Sequence, residues 1–365
     1  MSEALEHNKM LRSSKLEIGA SKADEVTAGL RPNPSLSVIA DIGPSQGLGP
    51  ADKYYGASVG IPIEFGGKRD KRIAFSDAVT QVTAEQYNDA VRQLTYAVQM
   101  AYVDFASSRQ ELTSAKENLA LLDSAVVLSG YRVAGNDISA TELARTEVER
   151  DKYILTTALL ENSFRTARII LLNLLGRENG AVEIEPDTAF FDLLMRGKSG
   201  ELPGVDSLVR VAENLRPDIR ALRAGEKADS ANYELQKALA AIDLTVSLDY
   251  SRQTGTSFYG STLSVPLKIF DRNQGEIEKA EVRIDQARFT TESGILKLRS
   301  DIANARGDML TKQRAVELLQ GSIIQKSSSV RKAVEFSYRH GGTSLVDYLD
   351  AARTYNELRT AYYEA

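Results

Sequence analysis

The sequence has no cysteine, no tryptophan and only nine prolines among its 365 residues. Without cysteine, neither a disulfide scaffold nor a thiolate metal site can form. No apolar run reaches the roughly 18 residues of a transmembrane helix, so none is expected. The 45 basic and 50 acidic residues include no basic block, which argues against nucleic acid as a partner.

Signatures of catalysis are also missing. No Ser-His-Asp set and no paired acid and base stand out, so we expect neither an enzyme nor a cofactor. His340 could bind a metal or sense pH, but His7 is the only other histidine. We therefore interpret His340 as a lone exposed turn residue and expect no metal site.

Proline is absent between residues 67 and 185 and again after Pro266. Both tracts are rich in Ala, Leu, Glu, Arg, Lys and Gln, which predicts very long helices. In the first tract, apolar and small residues recur at steps of three and four, which is typical of coiled-coil packing. These residues are Val91, Leu94, Val98, Ala101, Phe105, Ser108, Leu112, Ala115, Leu119 and Leu122.

Two pairs of short segments alternate between apolar and polar residues instead. Period two indicates strands with one apolar and one polar face. The segments are residues 35–42 and 55–65, then 242–251 and 259–268. Two strands cannot make a stable sheet alone, since isolated hairpins are marginal. Four such strands per chain predict a barrel shared by several chains, which leaves no open edge.

The chain thus repeats one plan: helix, strand, strand, long helix, glycine turn and return helix. The first repeat, 1–185, has strands near 35–42 and 55–65, a long helix 74–128, a tip turn 131–139 and a return helix 139–175. The second, 186–365, has a helix 217–240, strands 242–251 and 259–268, a long helix 275–338, a tip turn 338–345 and a return helix from 345. Both turns begin Tyr-Arg, which pairs Gly135 with Gly342.

Neither end of the sequence has the features of a natural boundary. The start lacks the basic and apolar regions of a signal peptide, and the last residues look like the middle of a helix. We therefore expect a signal segment and the end of the last helix to be missing. We also expect the opening helix of the first repeat to be absent or incomplete.

The sequence resembles the TolC family of outer-membrane efflux ducts. The resemblance covers nearly the whole sequence, and residues 270–280 are most like the CzcC-type branch. Its motifs are Arg31-Pro32-Asn33-Pro34 before the first strand, the paired strand-end residues Pro62 and Pro266, the segment Phe270-Asp-Arg-Asn-Gln-Gly-Glu-Ile-Glu-Lys-Ala280 and the two glycine turns.

The resemblance implies a mainly α fold with a small β part, in a homotrimer of a Gram-negative outer membrane. Each protomer would give four strands to a shared twelve-stranded β-barrel in outer-membrane lipid, and its long antiparallel coiled-coil helices to a periplasmic α-barrel. It further implies a passive conduit for small molecules or metal cations. Its partners would be a periplasmic adaptor protein and an inner-membrane pump of the resistance-nodulation-division (RND) type, which supplies the energy.

The resemblance also implies a gate at the helix tips. Asp347 and Asp350 match the aspartate pair of the family's tunnel constriction. At i, i+3 spacing both carboxylates share one helix face, and three copies would form an acidic ring that favours cations. The residues alone favour another interpretation, in which both are ordinary solvated acids at a helix start, where negative charge is favoured.

A polar latch between the two turns is implied as well. Tyr338 matches the latch tyrosine, with Glu142 or Thr141 as its acceptor. An arginine of some members is replaced by Thr343 here. Either Arg339 or Arg132 substitutes for it, or the closed state is held in a different way. The turn residues implied to contact the adaptor are Gly135, Asn136, Gly342 and Thr343.

Two other classes of protein are considered. A soluble coiled-coil scaffold without a membrane role fits the absence of a signal peptide, but it has no use for four alternating strands. A periplasmic adaptor needs a compact β-domain between its hairpin arms, and none is visible in the sequence.

Overall fold

The computed structural model describes residues 1–42, 53–177, 184–187, 202–253 and 255–364. Its elements, in chain order, are α1 (Ser2–His7), α2 (Lys9–Ala28), β1 (Ser35–Ile42), β2 (Lys53–Ile63), α3 (Lys68–Ala134), α4 (Ala140–Leu174), α5 (Val205–Leu215), α6 (Pro217–Leu239), β3 (Leu244–Gln253), β4 (Thr256–Ser264), α7 (Gln274–Leu318), a π-helical turn (Leu319–Ile323), α8 (Ile324–Arg339) and α9 (Leu345–Glu364). Among the described residues, no helix combines the length and apolarity needed to span a lipid bilayer.

The helices and strands follow the predicted order, but several boundaries differ. Helix α3 begins at Lys68 rather than residue 74, because Gly66 and Gly67 adopt positive φ angles of 78° and 68° and form the turn before it. It continues to Ala134, so the first four residues of the predicted 131–139 turn are helical. The predicted 275–338 helix is interrupted by the π-helical turn.

Two helices near the repeat starts also correct the sequence analysis. Helix α5 was missed, although Val205, Leu208 and Val209 have helical spacing. The opening helix of the first repeat is not missing, because α2 has 20 residues against 23 in α6.

The contacts divide the chain into two compact units. The first unit combines Met1–Arg12, Val91–Val209 and Arg299–Ala365, and the second combines Ser13–Ala90 and Arg210–Leu298. Each unit draws on both halves of the sequence. The repeats 1–185 and 186–365 therefore do not coincide with these units and remain a prediction from the sequence.

The core of the first unit forms along α3. Seven of the ten residues in the predicted coiled-coil stripe are buried there: Val98, Ala101, Phe105, Ser108, Leu112, Ala115 and Leu122. Phe105 stacks on Phe164 of α4 with 5.1 Å between ring centroids. The step of three and four residues therefore places one face of α3 against its neighbours, as coiled-coil packing requires.

The second long helix consists of α7, the π-helical turn and α8, and the π-helical turn keeps one face of it directed inward. Its half-buried and buried positions in the first unit include one series: Ile302, Arg306, Leu310, Gln313, Val316 and Leu319, then Ile324, Ser327, Arg331, Val334 and Tyr338. Every step is three or four residues except the one from Leu319 to Ile324, which spans the π-helical turn. A π-turn accommodates one extra residue in an α-helix. Here it keeps α8 facing inward despite the five-residue step.

The second unit contains one antiparallel sheet in the order β1-β2-β3-β4. Its register separates two faces, because side chains alternate along every strand. One face is mostly apolar and includes Leu36, Val38, Ala57, Val59, Ile61, Val246, Leu248, Tyr250, Tyr259 and Leu263. The other is mostly small and polar and includes Ser35, Ser37, Gly56, Ser58, Gly60, Thr245, Ser247, Asp249, Ser251, Gly260 and Thr262.

Positive side chains that follow β2 and β4 in the chain contact the C-terminal ends of α2 and α6. Arg69 Nε donates to the carbonyl of Gly29 at 2.6 Å, beyond the end of α2. Lys268 Nζ donates to the carbonyl of Leu239 at 2.6 Å, at the end of α6. The unsatisfied carbonyls of a helix C-terminus carry partial negative charge, so cations stabilise them. Both helices that lead into the hairpins end in this way.

Candidate functional site

The turn between α3 and α4 is closed by a residue in the left-handed conformation. Asn136 has a φ of 61°. Its N–H donates to the carbonyl of Val133 at 3.0 Å, and the N–H of Asp137 donates to the carbonyl of Arg132 at 2.8 Å. These two bonds define a Schellman motif, which satisfies carbonyls that the helix end leaves free.

The turn between α8 and α9 has the same geometry. Gly341 has a φ of 78°. Its N–H donates to the carbonyl of Tyr338 at 3.0 Å, and the N–H of Gly342 donates to the carbonyl of Ser337 at 2.8 Å. Asn136 and Gly341 are therefore structural equivalents.

This equivalence corrects the pairing of Gly135 with Gly342. Gly135 precedes the left-handed residue of its turn, and Gly342 follows the left-handed residue of the other. Asn and Gly both tolerate positive φ, so the position that defines the turn carries different residue types in the two copies. Matching identical letters therefore aligned the wrong glycine.

Serine side chains begin both return helices. Ser139 Oγ accepts the N–H of Glu142 at 3.3 Å. Ser344 Oγ accepts the N–H of Asp347 at 3.2 Å, and Asp347 Oδ2 in return accepts the N–H of Ser344 at 3.3 Å and its hydroxyl at 2.7 Å. The second arrangement is a reciprocal capping box, and the first has only the serine half of it.

Tyr338 lies in a buried cluster at this end of the first unit. The cluster joins Ala125 of α3, Tyr338 of α8, and Leu345 and Tyr348 of α9. The two tyrosine rings are stacked with centroids 5.2 Å apart and an interplanar angle of 7°. Such a pair contributes about 1 kcal/mol beyond the area that it buries.

The tyrosine hydroxyl corrects the predicted latch. Tyr338 Oη is 2.9 Å from Ser129 Oγ, and both side chains are buried. The expected acceptors Glu142 and Thr141 are therefore not its partner. The reason is the direction of the ring: Tyr338 occupies an inward position of α8 and faces α3, where Ser129 continues the buried stripe. Thr141 lies on the exposed first turn of α4.

Of the two candidate arginines, Arg132 approaches the tyrosine. Its guanidinium carbon lies 5.7 Å from the centroid of the Tyr338 ring, within the range of a cation–π interaction. Arg339 instead donates to Glu335 on its own helix at 2.7 Å. Arg132, from the first turn, thus contacts the tyrosine of the second.

Tyr348 is held neutral by its surroundings. Burial raises its pKa to about 12, because the phenolate would lose its water. Tyr348 is therefore uncharged throughout the physiological range of pH.

Asp347 and Asp350 both lie on the exposed side of α9, away from this cluster. Asp347 is engaged in the capping box, and Asp350 accepts from Arg353 at 2.6 Å. The latter pair is solvent-exposed, so it contributes less than about 1 kcal/mol. Both interpretations of Asp347 meet here: the same carboxylate caps the helix and remains open to solvent.

The predicted adaptor-contact residues lie on the turns. Gly135, Asn136 and Gly342 are exposed, whereas Thr343 is half-buried and its hydroxyl donates to the carbonyl of Val334 at 3.4 Å. In the part of the chain that the structure describes, no three His, Cys, Asp or Glu side chains come together as a metal site.

Sequence reasoning missed Ser129, Gly341 and Tyr348. Ser129 could have been found by extending the stripe of α3 beyond Leu122, because Ala125 and Ser129 follow at steps of three and four. Tyr348 shares a helix face with Leu345, which is also three residues away.

Comparisons with known proteins give the family of the chain. Residues 1–177 and 208–365 match the family described as "outer membrane efflux protein". The chain therefore belongs to the outer membrane efflux protein family, and it is an efflux channel protein of the outer membrane. The resemblance and the fold class inferred from the sequence are thereby confirmed.

Two individual relatives have low sequence identity to the chain. The chain is 23% identical over 364 residues to the cobalt-zinc-cadmium resistance protein CzcC of Cupriavidus metallidurans. The aligned region covers 99% of this chain and 84% of that protein. It is 26% identical over 287 residues to the nickel-cobalt-cadmium resistance protein NccC of Alcaligenes xylosoxydans xylosoxydans, covering 75% and 61%. The solved outer-membrane channel OprN has a TM-score of 0.82 at 19% identity, covering 100% and 84%.

Proposed function

We propose that the protein is the passive outer-membrane conduit of a tripartite efflux system, assembled as a homotrimer. Substrates leave the periplasm through its helices and cross the outer membrane through a barrel to which each copy gives four strands. A periplasmic adaptor and an inner-membrane pump of the RND type are its partners. The pump supplies the energy, and the conduit itself catalyses no reaction.

The observation that carries this proposal is the exposed apolar face of the sheet. Leu36 is 70% exposed, Val38 72% and Leu248 64%. Large contiguous apolar patches on a protein mark a surface that another apolar phase covers. Lipid is such a phase, and alternation of apolar and polar residues along each strand is the pattern of an outer-membrane barrel.

The sheet edges favour an assembly of several copies. Among the described strands, β1 and β4 each have a neighbour on one side only. An open edge leaves backbone N–H and C=O groups unpaired, which is costly in lipid. Pairing β4 of one copy with β1 of the next satisfies both edges and closes the barrel.

The helix tips are proposed as the gate. Asp347 and Asp350 are exposed at the start of α9, where three copies would create an acidic constriction. Tyr338, Ser129 and Arg132 hold α8 and α9 against α3 and would stabilise the closed state. The exposed turn residues Gly135, Asn136, Gly342 and Thr343 would contact the adaptor.

Metal cations are the proposed substrate class. The two curated relatives are named for resistance to cobalt, zinc, cadmium and nickel. An acidic constriction concentrates cations and disfavours anions. Small organic molecules are the second candidate class, because the general fold is shared with other efflux channels.

A matched pair of variants on β1 tests the conduit. Leu36→Lys adds a charge on the apolar face, and Ser37→Lys adds the same charge to the neighbouring residue on the polar face. Facing lipid, lysine costs up to about 2–4 kcal/mol, depending on its depth. We therefore expect Leu36→Lys to reduce the amount of heat-modifiable, cross-linkable trimer in outer membranes and Ser37→Lys to leave it near the wild-type level.

The soluble scaffold makes the opposite prediction. A scaffold with no membrane role would appear in the soluble fraction and would tolerate either lysine, since both positions are exposed. Equal trimer yields for the two variants, or wild-type protein that is absent from outer membranes, would reject the conduit.

A further inference from the structure

The sheet separates its charged residues by sign. On the polar face the charged side chains of the described strands are Asp41 and Asp249, and on the apolar face they are Lys53 and Arg252. On the described strands, the polar face therefore carries negative side chains and no positive one. Asp41 and Lys53 are near the ends of their strands, whereas Asp249 is not.

Asp249 lies in the middle of the polar face. The register gives five rows of side chains on this face, from the row of Pro62 and Thr245 to the row of Asp41 and Gln253, and Asp249 belongs to the third. Its row contains only Ser37, Ser58 and Gly260 beside it. These neighbours are small, so the carboxylate is the longest side chain of its row.

The carboxylate is oriented by bonds across the sheet. Thr262 Oγ1 donates to Asp249 Oδ2 at 2.7 Å, and Ser58 on the other neighbouring strand also donates to the carboxylate. Hydroxyl donors fix its position and do not neutralise it. No cationic side chain shares its face on the described strands, so its charge acts on whatever passes the polar face.

We propose that Asp249 is a second cation-selecting residue of the conduit, separate from the acidic pair at the helix tips. In the trimer, three copies of Asp249 form a ring on the luminal face of the barrel at mid-height. The ring raises the local concentration of cations and repels anions along the last part of the path. The inference rests on the proposed function, because only a barrel that conducts gives the polar face a lumen.

The test is the ion selectivity of purified trimer in planar lipid bilayers, read as the reversal potential in a salt gradient. Asp249→Asn keeps the size of the side chain and an oxygen that can accept from Thr262, and it removes the charge. We expect the cation-to-anion permeability ratio to fall about fivefold, the Boltzmann factor for a unit charge roughly 4 Å from an ion in water. Arg252→Gln is the matched control, because it removes a charge from the same strand on the lipid side, and it should leave the ratio unchanged.

Asp347 and Asp350 could dominate the permeability ratio and hide the contribution of Asp249. Each variant is therefore also measured in an Asp347→Asn, Asp350→Asn background. A ratio that Asp249→Asn leaves unchanged in both backgrounds overturns the inference. A ratio that Arg252→Gln changes equally also overturns it, because the effect would then not depend on the luminal face. If trimer with native Asp249 conducts no ions in either background, the proposed conduit itself is rejected, which is a different outcome. Equal yields of heat-modifiable trimer establish that the variants fold.

Discussion

The two helix-end turns of this protein share a backbone geometry and differ in almost everything around it. Both are Schellman motifs followed by a serine N-cap. The Tyr-Arg pair that opens each of them in the sequence, however, lies in opposite surroundings: Tyr131 is 74% exposed, whereas Tyr338 is 3% exposed. The first turn has a one-way cap, and the second has the reciprocal box of Ser344 and Asp347.

This difference assigns separate tasks to the two turns. The second turn is fixed to the core by Tyr338 and Tyr348, and the acids proposed to form the constriction begin its return helix. The first turn contributes Ser129 and Arg132 as a platform for that tyrosine, and its own tyrosine faces solvent. In the proposed gate, one turn thus carries the acids of the constriction, and the other supports it.

Single-residue deletions test the comparison most severely. Helix α3 reaches its turn without interruption, whereas α7 and α8 are joined by the π-helical turn. Deleting Lys116 rotates the rest of α3 by about 100° per residue lost, which moves Ser129 out of the core. We expect no folded trimer from that variant.

Deleting Gly321 should have the opposite outcome. The π-turn becomes a regular α-helix, and the step from Leu319 to Ile324 shortens to four residues. We expect trimer yield near wild type and a stability change of about 1 kcal/mol or less, measured by thermal unfolding followed by circular dichroism. If the two deletions reduce trimer yield and stability equally, the π-turn does not accommodate one extra residue of an otherwise regular α-helix.

These deletions also mark how far sequence reasoning reaches. The stripe of α3 and the alternating strands were predictable, because burial imposes periods of 3.6 and 2 on long segments. The π-turn was not predictable, because a single five-residue step between inward positions does not stand out from the usual irregular spacing of apolar residues. The partner of Tyr338 was not predictable either, because Ser129 is 209 residues away. Only packing identifies which of several hydroxyl groups meets the ring.

The tyrosines provide the next contrast. Tyr338→Ala removes a buried ring and leaves the hydroxyl of Ser129 without a partner, so it should destabilise this end by about 3–5 kcal/mol. Tyr131→Ala removes an exposed ring and should change stability by about 0.5 kcal/mol or less. Hydrogen exchange of the amides in α8 and α9 measures the difference. Similar exchange in both variants would contradict separate roles for the two turns.

A milder variant separates the ring from the hydroxyl. Tyr338→Phe keeps the ring stacked on Tyr348 and removes only the hydroxyl that is hydrogen-bonded to Ser129 Oγ. We expect a loss of about 1 kcal/mol, on the scale of one hydrogen bond. A loss as large as that of Tyr338→Ala would show that the hydrogen bond, rather than the ring, holds α8 against α3.

Glycine substitutions test which residue defines each turn. Gly341→Ala forces a Cβ into the left-handed region and should cost about 1–2 kcal/mol. Gly135 has no positive φ, and an added Cβ would meet its nearest atom at 3.5 Å, an ordinary contact. Gly135→Ala should therefore be neutral or stabilise by up to about 1 kcal/mol. Thermal unfolding of the two variants checks the sign, and a destabilised Gly135→Ala would restore the pairing suggested by the sequence.

The caps give the smallest expected difference between the two turns and connect stability with the proposed gate. Ser344→Ala removes the two bonds of the Ser344 hydroxyl and leaves the bond from the backbone N–H of residue 344 to Asp347, so it should cost about 1–2 kcal/mol. Ser139→Ala removes one bond and should cost about 0.5–1 kcal/mol. Hydrogen exchange in the first turns of α9 and α4 resolves the two effects. Asp347→Asn keeps an acceptor for the N–H of Ser344, so it should preserve most of the cap while removing the charge. If its effect on stability equals that of Ser344→Ala, the charge of Asp347 serves the helix, and Asp350 alone is left to act on passing cations.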